Sequence, residues 1–316
     1  MKKIVYVTGC LGFIGVNVTR QCLARGWHVI GVDKGTYASN FNFLTEFQKY
    51  DTFKFIHKDI NDLDRLYDCD YIINTAAETH VDNSIMSSEV FLSSNINRVH
   101  RLLELIRQQP VQKQPILLHF STDEVYGDID SGAHTETDLL KPSNPYSASK
   151  AAADMLILAW ARTYGIKYVI VRPTNNYGIG QYVEKLIPKS VKFLELGKLI
   201  DLHNHGNPVR TWLHATDTAS AVIATIDAGC TNEIFNISGN TEMPNREVIK
   251  KILSYYYGVN HDHDWESFVT PSSRQGQDVR YAIDDSKLKQ LGWTATADFD
   301  QELAQVVNHY RNNFVW

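Results

Sequence analysis

The chain of 316 residues carries a formal net charge of −5 at pH 7, with 43% hydrophobic and 21% charged residues. That is the composition of an ordinary globular protein, without the basic excess that marks a nucleic-acid binder, and no run of about 18 apolar residues predicts a membrane-spanning helix. The length exceeds the size at which a single core usually stops growing, so two domains, or one with an appended lobe, are expected.

Met1-Lys2-Lys3 and the apolar run Ile4 to Val7 have the outline of a signal peptide, but Gly9, Gly12 and Gly15 interrupt it too early, which predicts a first strand instead. Thr8-Gly9-Cys10-Leu11-Gly12-Phe13-Ile14-Gly15 then reads as a glycine-punctuated turn opening a helix that runs to Arg25. In a strand–turn–helix unit, Gly9 permits the tight turn, Gly12 lets backbone N–H groups approach a pyrophosphate, and Gly15 lets the helix pack closely on the strand. The next strand, His28 to Val32, ends at Asp33, placed to accept hydrogen bonds from an adenosine ribose and to repel a 2′-phosphate, so NAD is favoured over NADP. Lys34 beside it weakens that preference.

Further strands are predicted at Lys54 to His57, with Asp59 and Ile60 placed to meet the adenine, and at Tyr71 to Asn74. The small residues Thr75-Ala76-Ala77 let a cofactor lie on backbone. His80 and Asp82 follow without a third ligand at metal-binding spacing, so no metal site is expected. Val90 to Gln108 reads as an amphipathic helix with Phe91, Leu102, Leu103 and Ile106 inward.

Ile116 to Phe120 is a short apolar run fit for a buried strand, and Ser121-Thr122-Asp123-Glu124-Val125-Tyr126-Gly127 emerges where that strand ends. Open α/β sheets bind ligands at this edge. A hydroxyl and adjacent carboxyls there suit either a helix cap or an acid and a base working on one substrate. Tyr146 and Lys150, one helical turn apart in a helix from Asn144-Pro145 to Tyr164, favour the second. After the strand Tyr168 to Val171 the alternation loosens, and a domain boundary is expected near Arg172. Residues 1–172 form an NAD-binding domain carrying the catalytic residues, and 173–316 form mainly a substrate lobe with helices near 184–197, 217–227, 245–257 and 300–312. The predicted fold class is α/β: a doubly wound parallel sheet of Rossmann type with a smaller C-terminal α/β lobe. Cys10, Cys22, Cys69 and Cys230 lack CxxC spacing and read as reduced thiols of a cytoplasmic protein.

With these residues in place, the chain resembles the extended short-chain dehydrogenase/reductase superfamily from end to end, and within it the nucleotide-sugar 4,6-dehydratases. The first glycine loop and the Tyr146/Lys150 pair are shared across the superfamily. The stretch Ser121 to Gly127 is narrower, and Arg172 to Gly178, Glu184 to Pro188 and Arg280 to Asp284 look like substrate-lobe motifs of the dehydratases. The resemblance implies tightly held NAD and conversion of dTDP-glucose or UDP-glucose to the 4-keto-6-deoxy sugar nucleotide, a step toward rhamnose or another deoxysugar. It implies that Tyr146, its phenol lowered by Lys150 and the cationic nicotinamide, takes the O4 proton while hydride leaves C4. Thr122 would bond the same oxygen, Glu124 would remove the C5 proton, and protonated Asp123 would expel the C6 hydroxyl.

For the sugar nucleotide, the resemblance implies Arg210 and Arg274 at the diphosphate and Asn175 and Asn245 as amide contacts. It puts Glu184, Lys185 and Leu186 near the base, adds His80 and Tyr281 to the substrate contacts, and implies a homodimer built on Val90 to Gln108 and Pro145 to Tyr164. Gln275 and Gln277 stand where the family usually has proline and histidine, Arg98 where glycine is common, with an effect on packing expected, and Asn83 where arginine is frequent. A UDP-sugar 4-epimerase needs no paired carboxyls. A UDP-glucuronate decarboxylase typically has serine at the place of Asp123. A non-catalytic NAD-binding regulator has no need of all four groups.

Overall fold

Valine, isoleucine, leucine, phenylalanine and tyrosine fill most strand positions of the main sheet, and strands buried on both faces read as continuous apolar runs because helices cover each side of a parallel sheet. A computed structural model describes residues 2–313. Met1 and residues 314–316, at the outer ends of the two expected segments, lie outside the described residues. The strands are β1 (Ile4–Thr8), β2 (His28–Asp33), β3 (Phe53–His57), β4 (Tyr71–Asn74), β5 (Ile116–Phe120), β6 (Tyr168–Pro173), β7 (Asn175–Tyr177), β8 (Ile200–His203), β9 (Val209–His214), β10 (Glu233–Ile237), β11 (Thr241–Pro244) and β12 (Val269–Ser272). A seven-stranded sheet has the order β3-β2-β1-β4-β5-β6-β10, with every pairing parallel. The direction of winding reverses between β1 and β4, which opens a crevice at their carboxyl ends.

One face of the sheet packs on the helices Phe13–Ala24 and Ala215–Asp227, the other on Arg98–Arg107 and Pro145–Tyr164. Helix Pro145–Tyr164 starts where its sequence signals start: Asn144 accepts from the Ser147 amide in a capping box, Pro145 occupies the first turn, and Gly165 closes the helix in the left-handed region.

Two expectations are corrected. The boundary near Arg172 does not divide the chain cleanly, because β10 pairs with β6 and the helix Ala215–Asp227 covers the face beside Phe13–Ala24. The open edge of β6 and an uncovered apolar face are satisfied only by later chain. The smaller lobe is built around a separate core of the helices Leu186–Glu195, Asn245–Tyr257 and Phe299–Asn312. Sheet β11-β9-β7 and the pair β12-β8 complete it.

The helix expected over Val90 to Gln108 is not uniform either. A π-helical segment, Leu92–Asn97, precedes Arg98–Arg107. Its wider turn carries Asn95 to the loop after β4, where the side chain accepts from the Glu78 amide (2.9 Å) and donates to the Glu78 carbonyl (3.0 Å) and Ser149 Oγ (2.9 Å).

Candidate active site

The first glycine loop leaves no room for side chains. A Cβ on Gly9, whose φ is +71°, would lie 2.8 Å from the Ala76 Cα, and one on Gly15 would lie 2.0 Å from the Gly9 carbonyl oxygen. Backbone therefore faces a cleft of about 540 Å³ lined by Gly9, Gly12, Asp33, Asp59, Ile60 and Ala76. The first turn of the helix Phe13–Ala24 holds no acidic residue, so its amides and dipole are free for an anion. Asp33 already accepts from the Leu11 amide (3.0 Å), the Gly35 amide (2.9 Å) and Ser39 Oγ (2.8 Å), which fixes its carboxylate at the cleft wall.

Arg98, expected to affect packing, instead lines this cleft. It grips Asp59 through two hydrogen bonds of 2.8 and 2.7 Å. Burial works upward on the Asp59 carboxyl, yet Arg98 and Lys34 hold it down to about 2. A backbone cradle, an anion-ready helix end and two fixed carboxylates fit an adenine dinucleotide.

A second chamber, about 1020 Å³, continues from Gly12, Phe13, Ile14 and Gly15 to Thr122, Asp123, Glu124 and Tyr146. Asp123–Tyr126 forms a short 3-10 turn at the end of β5, with Thr122 accepting from the Glu124 amide. The cap expected here is present, and the carboxyls of Asp123 and Glu124 stand beside it. Asp123 is buried. Its Oδ1 accepts from Thr122 Oγ1 (3.1 Å) and its Oδ2 has no protein partner. Burial, reinforced by the charge of Glu124, raises its pKa to about 7. Burial also raises Glu124, with Arg210 and Lys185 opposing and Asp278 adding to the rise.

Lys150 sits against β5. Its Nζ donates to the Phe120 carbonyl (2.5 Å) and lies 3.4 Å from Nε2 of the fully buried His119. Burial draws the Lys150 ammonium down to about 8 against the pull of Asp154. Within the chain itself, burial and then the charge of Glu124 raise the Tyr146 phenol, with Thr122 opposing and Asp123 adding to the rise. Behind Lys150, Asp154 and Arg172 form a buried ion pair (2.9 Å), with Tyr126 bonded to Arg172 (2.7 Å).

The third compartment, about 1030 Å³, brings together all nine residues expected at the substrate: His80, Asn175, Glu184, Lys185, Leu186, Arg210, Asn245, Arg274 and Tyr281. Glu124, Asn175, Glu184 and Lys185 line both this and the preceding chamber, so the two communicate. Arg274 is clamped by Asp82, with one bond of 2.9 Å. Arg210 donates to the Val209 carbonyl (2.7 Å) and lies 4.4 Å over the Tyr281 ring. Lys185 donates to the Thr79 carbonyl (2.9 Å). His80 accepts from the Asn83 amide and is drawn down to about 4 by burial and by Lys185, which makes it a neutral wall. Gln277 donates to the Asp278 carbonyl (3.1 Å) and stays in the lining. Asn175 Oδ1, Asn245 Oδ1 and Trp212 Nε1 are buried without a protein partner, the signature of a polar site awaiting a ligand.

Sequence reading missed Asp82 as a clamp, and missed His203, Asp278 and His119. His203 reaches the cleft from β8, which has no local signal. Asp278 lay within Arg274 to Asp278, where attention fell on the two glutamines. No cluster of metal-ligating side chains exists among the described residues, and no helix among them is long and apolar enough to cross a membrane.

A dinucleotide cradle joined through a Tyr/carboxyl chamber to a cation-lined cleft defines a Rossmann-fold enzyme of sugar-nucleotide type. The comparisons narrow this. The chain belongs to the GDP-mannose 4,6 dehydratase family, whose model matches residues 6–306. It is 38% identical to dTDP-glucose 4,6-dehydratase of Neisseria meningitidis over 100% of this chain and 95% of that protein. It superposes with TM-score 0.91 and 38% identity on DesIV, a dTDP-glucose 4,6-dehydratase of Streptomyces venezuelae solved with NAD and TYD bound, covering 98% of this chain and 97% of that one. The UDP-glucuronic acid 4-epimerase of Bacillus cereus shares the fold at TM-score 0.87 but only 23% identity, covering 97% of this chain and 99% of that one.

Proposed function

We propose that this chain is an NAD-dependent dehydratase of a nucleoside-diphosphate glucose, removing one water to leave the 4-keto-6-deoxy sugar nucleotide. The observation that carries this reading is the Asp123/Glu124 pair, one carboxyl with an orphaned oxygen and a pKa near 7 beside a second, in a chamber shared with Tyr146. Epimerisation at C4 has no use for an acid that expels a C6 hydroxyl. NAD, once bound, would supply the acceptor for the C4 hydride and the donor of the same hydride to C6 after water has left. Tyr146 takes the O4 proton, with Thr122 steadying that oxygen. Glu124 takes the C5 proton once C4 is a ketone, Asp123 delivers its proton to the departing hydroxyl, and a proton returns to C5 as C6 is reduced. Arg210 and Arg274, already oriented by their protein partners, receive the diphosphate.

The dehydratase relatives make dTDP-glucose the first substrate to offer, with UDP-glucose second. A working pair of chains is built on the helical segments from Val90 to Gln108 and Pro145 to Tyr164, where Val90, Leu92 and Met155 are exposed. Four free cysteines suit the cytoplasm. Incubation with each sugar nucleotide, following product mass and absorbance of the reduced cofactor, tests the reading. Loss of one water without lasting reduced cofactor supports it, whereas unchanged mass with a C4 epimer overturns it. Sedimentation as a monomer at micromolar concentration overturns the dimer.

A further inference from the structure

Glu124 is surrounded by groups from several elements, and one does not belong to the acid–base set. Asp278 is 5% exposed. Its Oδ2 accepts from Ser143 Oγ (2.5 Å) and from the Tyr281 hydroxyl. The same Tyr281 oxygen lies 3.5 Å from Glu124 Oε2. One phenol proton therefore sits between two carboxylates and is held by the one that is not the base. A carboxylate that accepts good hydrogen bonds is a weak base, and a like charge nearby makes it a stronger one. The arrangement withholds the first effect from Glu124 and applies the second.

We propose that Asp278 is a positioning residue for the elimination step: by engaging the Tyr281 hydroxyl and by its own charge it keeps Glu124 basic enough to take the C5 proton. The other groups facing Glu124 define the balance. Arg210 on β9, Lys185 ahead of the helix Leu186–Glu195 and Asn144 at the cap of Pro145–Tyr164 favour the carboxylate. Asp123 and Tyr146 share the chamber, and neutral His80 lines the wall. Arg210 also donates to the Asp278 carbonyl (3.2 Å), so the diphosphate cation and this device are mechanically joined. Oxidation at C4, which uses Tyr146, does not involve Asp278.

The inference rests on the dehydratase reading, which the unaltered protein tests by its own loss of water. Asp278→Asn and Tyr281→Phe are then compared with it. Asp278→Asn frees the Tyr281 proton for Glu124 and removes the like charge, so the acid limb of the elimination rate moves to lower pH by roughly one unit. The plateau falls by up to about 10-fold, the most that a one-unit weakening of the base allows. Formation of reduced cofactor in single turnover stays within about twofold, so its absorbance builds up, and washout of deuterium from C5 slows in step with elimination. In the double variant Asp278→Asn/Tyr281→Phe no phenol proton is left to reach Glu124, so the limb moves back part of the way and less reduced cofactor accumulates than in Asp278→Asn.

Equal loss of oxidation and elimination, or an unmoved acid limb in an Asp278→Asn protein that melts normally, overturns the proposal. If Asp278→Asn alone fails to fold, the double variant decides it: the Asp278 charge is still lost there, so an acid limb at lower pH than in Tyr281→Phe sustains the proposal and an unmoved limb ends it.

Discussion

Replacing Asp123 by asparagine should make the protein more stable and less active, with the size of the gain set by pH. The Asp123 carboxyl has a folded pKa of about 7 because of burial and the charge of Glu124, against an unfolded value of about 3.9. The folded state therefore holds a proton that the unfolded state has lost between those values. Its stability is greatest below the unfolded pKa and falls as pH rises toward 7. At about 1.4 kcal/mol per unit, the gain of Asp123→Asn over the original chain grows from about 1.5 kcal/mol at pH 5 to about 4 kcal/mol at pH 8. Asp123 is only 3% exposed, so solvent screening removes little of this. Denaturant melts of both proteins without ligand at pH 5 and pH 8 measure it. The same variant should lose about 10²- to 10⁴-fold in dehydration while still oxidising C4. A stability difference that is the same at both pH values would refute the reasoning, because an aspartate ionised in the native state at pH 5 cannot be the protonated acid.

Tyr146→Phe should abolish the transient reduced cofactor altogether and lower turnover by about 10²- to 10⁴-fold, measured by stopped-flow absorbance, with substrate affinity little changed. Asp154→Ala leaves the buried Arg172 without its counter-ion and should cost about 3–5 kcal/mol in a denaturant melt, far more than removal of an exposed pair such as Arg25–Asp227. Arg98→Ala releases Asp59, whose carboxyl then moves up from about 2 toward its ordinary value. The cofactor dissociation constant measured by fluorescence titration should rise, with the elimination rate at saturating cofactor unchanged.

Much of this site was readable along the chain because the relevant physics is local. Gly9, Gly12 and Gly15 mark a backbone that must approach a ligand, and the structure leaves no space for a Cβ at Gly9 or Gly15. Asn144, Pro145 and Gly165 mark the two ends of one helix by capping chemistry alone, and both ends fall where they were expected. Thr122, Asp123 and Glu124 follow an apolar run, so their place at the edge of a parallel sheet followed from β5. Other features depend on contacts between distant segments. β10 joins the sheet from residue 233 because the edge of β6 needs a partner and the apolar face needs cover, neither of which is written near residue 233. Lys150 stands one turn from Tyr146, yet its ammonium goes to Phe120 and His119 on a neighbouring strand, and sequence spacing carries no information about that competition. Asp278 meets the Glu124 environment across more than 150 residues through a single tyrosine hydroxyl. The sequence by itself determined which groups are available and which backbone can approach a ligand, since both follow from residue type and local geometry. Only the tertiary structure decided how protons and charges are shared among them, because burial and through-space proximity set those energies.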